Sequence, residues 1–259
     1  MDLKITHRMA ALVVVCGLVL ASESALSAPI NPFNVRPQPV GTAPGSEPQL
    51  QGILDGIYGS GAVDAYSDQQ TAGIWQLPGG GYGATAPVIQ VEAAGYANSN
   101  VFGIWTGWDT NGPITTVPIF LGSAGPGTTA TLKWAAGDPS TLIVEGGSGV
   151  NTGNYPGIYR YWFGFYLEGP GTSGGTSGKF WTADQLNPGG WAAAYAYVGQ
   201  GNRWTVAFED QNYNAGVGDN DHNDMVLTIE SIVPVPEPLT VFLLGGGIVS
   251  AALLRRRKR

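Results

Sequence analysis

Between Val88 and Ile232 the apolar residues come in short runs, each cut off by glycine, proline, asparagine or serine before a helical period can build. The runs are rich in Val, Ile, Thr and aromatic residues, which suit a pleated, half-buried surface. They predict strands over Val88–Glu92, Val101–Trp105, Thr115–Phe120, Thr129–Trp134, Thr141–Val144, Tyr159–Leu167, Trp191–Val198, Arg203–Phe208 and Met225–Ile232. In the last run Met225, Leu227 and Ile229 alternate with Val226, Thr228 and Glu230, so one set is expected on the core and the other towards solvent. The forty glycines of the chain fit many tight turns. The expected fold is therefore all-β, an antiparallel β-sandwich or jelly-roll-like domain over residues 49–233. One short helix is expected at its start, over Gln49–Tyr58, where Leu50, Ile53, Leu54 and Ile57 share a face.

Both ends of the 259-residue chain read as addresses rather than fold. Lys4 and Arg8 precede an apolar run from Met9 to Ala21, and small residues come next, with Ala25 and Ser27 in a small-x-small pattern. That is the layout of a secretory signal peptide covering residues 1–27. Cys16 lies inside its apolar run, so the mature chain has no cysteine and can form neither disulfide nor thiolate metal site. Residues 28–48 are proline-rich without periodicity and are expected to form an extended leader. At the other end Val235-Pro236-Glu237-Pro238 leads into Leu239–Leu254, sixteen residues without a charge, and then into Arg255, Arg256, Arg257, Lys258 and Arg259. The apolar run would span about 24 Å as a helix, short of a hydrocarbon core but extendable by snorkelling arginines. The basic cluster would hold its own end in the cytoplasm and the β domain on the opposite side.

This three-part ending could be a plain tail anchor, but it closely resembles the PEP-CTERM sorting signal of Gram-negative bacteria that make exopolysaccharide. Pro236, Glu237 and Pro238 match the motif, Leu239–Leu254 the transmembrane helix and Arg255–Arg259 the basic end. The resemblance implies that residues 234–259 are the substrate of a membrane-embedded exosortase. The precursor would then be tethered to the inner membrane, and the processed chain would lack the residues beyond about Pro238.

A second pattern is acidic. Phe208-Glu209-Asp210 is joined nine residues on by Asp219-Asn220-Asp221-His222-Asn223-Asp224. Hard cations such as calcium take six to eight oxygen ligands, and carboxylates interleaved with asparagine supply them. Glu209, Asp210, Asp219, Asp221, Asn223 and Asp224 are thus candidate calcium ligands, while the competing reading has them capping turns. The spacing begins like an EF-hand, but Asp224 stands where the turn glycine belongs and a strand comes after it, so it is not one. Glu209 and Asp210, adjacent in sequence, would point to opposite faces of a strand and could not act as a close pair. The run is similar to a bacterial surface domain of unknown function that carries Phe-Glu-Asp, a Gly-rich loop and Asp-x-Asp-Tyr-Asn-Asp before its final strand. Here the match covers residues 180–232, with His222 in place of the tyrosine.

Composition removes other classes. Between Ala28 and Leu254 five basic residues face seventeen acids, a net of −12 that repels nucleic acid. Past the signal the only histidine is His222, too few for a zinc site or a histidine-based triad, and no phosphate-binding loop is present. Glu92, Glu145 and Glu168 are the carboxylates left for glycoside hydrolysis, each readable as an ordinary strand-edge acid. The chain is not expected to be an enzyme. Tyr159, Tyr161, Phe163 and Phe165 alternate as a buried strand face would, with a sugar-stacking platform as the alternative. Together these readings predict an exported, calcium-stiffened structural protein of the cell surface or extracellular matrix. A carbohydrate-binding module for exopolysaccharide is the second reading, and a glycan-active enzyme the third.

Overall fold

Short runs separated by tight turns can pair only by doubling back, and every strand pairing among the described residues is antiparallel. The computed structural model describes residues 35–78, 84–92, 99–107, 114–169, 178–199, 203–211 and 218–235. One helix, α1 (Leu50–Tyr58), precedes the strands β1 (Trp75–Gln76), β2 (Ala84–Glu92), β3 (Val101–Thr106), β4 (Thr115–Phe120), β5 (Ala130–Trp134), β6 (Thr141–Gly146) and β7 (Gly153–Pro156). Next come β8 (Gly164–Glu168), β9 (Lys179–Trp181), β10 (Ala194–Val198), β11 (Trp204–Phe208), β12 (Met225–Glu230) and β13 (Val233–Pro234). The protein is all-β in class. A seven-stranded sheet runs β10-β11-β12-β2-β5-β6-β7, a four-stranded sheet runs β4-β3-β8-β9, and β1 pairs with β13.

One apolar core takes side chains from both larger sheets. Phe102, Ile104, Val117, Ile119, Phe165 and Leu167 of the smaller sheet share it with Leu132, Val144, Trp204, Val206, Leu227 and Ile229 of the larger. Phe102 sits at the centre, its ring 5.8 Å from that of Phe120, 5.3 Å from Phe165 and, edge-on, 6.2 Å from Phe208. Each such ring removed from water stabilises the fold by about 1.5–3 kcal/mol before the entropy of ordering it is counted.

The far face of the larger sheet is also covered, which corrects the expectation for β12. Met225, Leu227 and Ile229 enter the main core as their alternation predicts. Val226 is buried too, in a second cluster with Leu50, Ile53 and Leu54 of α1 and with Tyr195, Tyr197 and Ala207. An amphipathic helix lies where solvent was expected. Its stripe is the predicted one, and it stops at Gly59, whose φ of 97° only glycine adopts readily.

Residues 35–48, expected as an extended leader, pack on the domain instead. Arg36 forms a two-bonded ion pair with Asp184, both N–H···O distances 3.0 Å, and both side chains are buried. Gln38 exchanges hydrogen bonds with Gln69, and Pro39 O accepts from the hydroxyl of Tyr195. The Tyr159–Leu167 run also differs from its expectation, since β8 begins only at Gly164. Phe163 is captured by a backbone bridge to Trp75, with N···O distances of 2.7 and 2.8 Å, and the residues before it turn. Phe163 and Phe165 are in the core as predicted, but Tyr159 and Tyr161 are each 44% exposed. β1, β7, β9 and β13 are too short for periodicity to reveal. Among the described residues no helix is long and apolar enough to cross a membrane. The signal peptide and residues 236–259, with the expected transmembrane helix, lie outside the described residues.

Candidate metal centre

Strand register builds the first half of the site. Phe208 and Met225 are paired at the ends of β11 and β12, so the residues just beyond them, Glu209-Asp210 on one side and Asp224 on the other, must meet. The ladder continues for one more step in a different form: the amide of Asp210 donates to Oδ2 of Asp224 at 2.8 Å. On the other side the amide of Glu209 donates to the carbonyl of Ala193 at 3.1 Å, one step beyond the Ala194–Phe208 pair. Carboxylate oxygens of Glu209, Asp210 and Asp224 lie within 4.8 Å of one another, which overturns the expectation that Glu209 and Asp210 could not come close.

The returning loop makes a second group. Gly218 opens it with φ 85°, and a Cβ there would stand 2.7 Å from Oε1 of Glu209. Asn220 and His222 take left-handed φ values of 62° and 56°, which curl the run that would otherwise have extended as strand. Asp219 and Asp221 are brought within 4.8 Å of a carboxylate from far upstream, Glu47. The acids expected as one site fall into two neighbouring groups, one wholly buried and one nearer the surface, and the charges of Asp219 and Glu47 still reach Asp210. The Nδ2 of Asn223 donates to Pro48 O at 2.9 Å, and its Oδ1 is buried without a partner among the described residues.

His222 is no ligand. Its Nε2 lies 3.0 Å from Ala192 O and its Nδ1 3.1 Å from Asn220 O, so both ring nitrogens face backbone carbonyls. The ring stacks on Tyr195, centroids 3.8 Å apart and planes within 12°. Burial pushes its pKa down to about 4 although the two carbonyls favour the protonated ring.

The carboxylates show what such crowding costs. Glu209, Asp210 and Asp221 are at most 2% exposed. Burial first, and neighbouring carboxylates second, raise Glu209 to about 10 and Asp224 to about 8. Burial also raises Asp221 to about 6, and raises Asp210 against a hydrogen bond from Asn100 Nδ2 at 3.0 Å. Four oxygens, Glu209 Oε2, Asp210 Oδ1, Asp221 Oδ2 and Asn223 Oδ1, are buried without a partner among the described residues. The ion pairs of the described residues lie elsewhere, at Arg36–Asp184, Lys133–Glu145, Lys179–Glu168 and Arg203–Glu230. Buried carboxylates without basic partners must hold either protons or a cation. The donors are all oxygen, which suits a hard divalent ion and not a zinc or copper centre.

Two contributors had no sequence signal of this kind. Glu47 lies in the aperiodic proline-rich segment, and Asn100, whose Oδ1 is likewise buried and unpartnered, precedes β3 as an ordinary loop residue. Of the candidate glycosidase acids, Glu145 and Glu168 are taken up by Lys133 and Lys179 at the surface. Compared with family models, curated proteins and solved structures, the chain matches none.

Proposed function

We propose that this chain is an exported, non-catalytic structural protein of the bacterial surface or extracellular matrix, whose β domain is stiffened by calcium. The observation that carries the calcium reading is the buried Glu209–Asp210–Asp224 group with its unpartnered oxygens. A calcium ion there would tie the end of β11 to the start of β12, the second and third strands of the larger sheet. The domain itself is read as an antiparallel sandwich, because two sheets share one core. Export rests on the signal-like start, and sorting on Pro236-Glu237-Pro238, the apolar run and Arg255–Arg259, read as an exosortase substrate first held in the inner membrane. The test of the calcium reading is the melting temperature of the full-length chain in chelator and in millimolar calcium. An upward shift that Glu209→Gln reduces supports it, and identical melting in both overturns it.

A second reading has one observation in its favour. Tyr159 and Tyr161 are exposed, with the guanidinium of Arg160 4.8 Å over the Tyr161 ring, and such rings stack on sugars. Retention on immobilised exopolysaccharide, lost in a Tyr159→Ala/Tyr161→Ala double variant, would favour a carbohydrate-binding role.

A further inference from the structure

The outer acidic group belongs to two distant parts of the chain, and this is its informative property. Asp219 and Asp221 come from the β11–β12 loop, whereas Glu47 comes from the segment that precedes α1. We infer that Glu47, Asp219 and Asp221 form a second divalent-cation site, separate from the buried group, that latches the N-terminal segment onto the β domain. The inference extends the calcium reading above to a second ion and rests on it for the identity of the metal.

The second observation is Asp221 itself. It is 1% exposed, its Oδ1 is used by the amide of Asn223 at 3.1 Å, and its Oδ2 is buried without a partner among the described residues. A carboxylate oxygen removed from water and left without a donor, within reach of two further carboxylates, is stabilised by a cation between them.

Three of the hydrogen bonds that dock the segment carrying Glu47 land on that same loop. Gly41 N donates to Asn220 O at 2.7 Å, Asn220 Nδ2 to Pro39 O at 3.0 Å, and Asn223 Nδ2 to Pro48 O at 2.9 Å. The approach at Gly41 is so close that a Cβ would lie 2.1 Å from Asp219 O, a backbone atom with no room to yield. Docking therefore brings the segment to the loop, and the cation would supply the one attraction among otherwise like-charged groups. Without it the three carboxylates repel. With it the segment, the loop and β12 become one unit.

The test counts calcium bound per full-length chain by equilibrium dialysis and tracks hydrogen exchange of the Gly41 amide. The wild type is expected to bind two ions, and Glu47→Gln one, or a second at least about tenfold more weakly. Gly41→Ala, which alters no carboxylate, is expected to lose the same ion, while Glu209→Gln loses the other. Chelator should speed exchange at Gly41 in the wild type and leave Glu47→Gln unchanged. Two ions in Glu47→Gln at unaltered affinity would overturn the inference. So would a single ion lost on Glu209→Gln and indifferent to Glu47→Gln, an outcome that leaves the buried calcium site standing. No bound calcium in the wild type would overturn both readings.

Discussion

Asp224 accepts the backbone amide of Asp210 through its side chain at 2.8 Å, standing in for the ladder carbonyl that a longer β12 would have supplied. The substitution holds a carboxylate at the mouth of a strand pair, where Glu209 and Asp210 are also buried. Burial of these carboxylates, which outweighs that hydrogen bond, makes stability depend on pH in a direction opposite to that of most acids. Folding raises Glu209 from 4.5 to about 10 and Asp224 from 3.8 to about 8, so the folded state binds protons more tightly than the unfolded one. In chelator this stability is fully present below about pH 4 and is lost as pH rises towards 8 to 10. His222, pushed from 6.5 down to about 4, acts the other way and costs stability as pH falls through that window. With calcium the ion replaces the protons. Melting temperatures recorded from pH 5 to 9 should therefore diverge, the calcium-loaded protein gaining on the metal-free one as pH rises. Glu209→Gln should flatten the metal-free decline.

The ion pair of Arg36 and Asp184 is buried on both sides, and Tyr195 presents its ring 5.5 Å from the guanidinium. Removing one partner leaves a charge without compensation in the interior. Arg36→Ala is expected to destabilise by about 3–5 kcal/mol, read by chemical denaturation. An Arg36→Met/Asp184→Leu double variant should recover most of that loss, because no buried charge then remains. Equal losses in both variants would show that the pair acts through packing alone.

Legibility in the sequence depended on range. Thr115–Phe120 is a strand with the predicted bounds, and α1 carries its predicted stripe, because both patterns are local. Asp219, Asp221 and Asp224 stood out because acids so close together are unusual in a loop. The features that the residues could not show were set by pairings between distant segments. Val226 has the same alternation whether water or α1 lies above it, and only the fold decides. Tyr159 and Tyr161 continue the period of Phe163 and Phe165, yet the bridge from Trp75 to Phe163 cuts the strand short before them. Glu209 and Asp210 were separated by a strand rule, yet their carboxylates meet just past the end of β11. Glu47 carries no mark of its own. Its carboxylate acquires meaning only when Gly41 meets Asn220.

Across β3 and β8, Gly103 faces Tyr166 and Trp105 faces Gly164, so each glycine is covered by the ring opposite. A Cβ at Gly164 would lie 2.4 Å from the Trp105 indole. The indole cannot retreat, since its Nε1 donates to Phe165 O at 3.0 Å and Trp162 and Trp181 pack edge-on against it. Gly164→Ala should cost about 1–3 kcal/mol from overpacking. Gly56→Ala provides the contrast: it lies within α1 with nothing within 4 Å of a new Cβ. That change should stabilise by about 0.5–1 kcal/mol through helix propensity and a less flexible unfolded chain. Thermal melts of the two variants should move in opposite directions.

The sorting reading predicts a covalent outcome. Prolines at 236 and 238 disfavour both helix and sheet, as a segment read by a processing enzyme requires. β13 ends at Pro234, paired with β1, and the amide of Val235 still donates to Ile74 O at 3.1 Å. The described pairing thus extends to Val235, and a cut after about Pro238 would leave it whole. In a host that makes exosortase, intact-mass measurement of the exported chain should show no residue after about Pro238. Glu237→Ala should leave the chain uncut and membrane-bound, with Arg255–Arg259 still attached. Arg259 on the exported wild-type protein would refute the sorting reading and leave a tail anchor in its place, without touching the prediction for calcium.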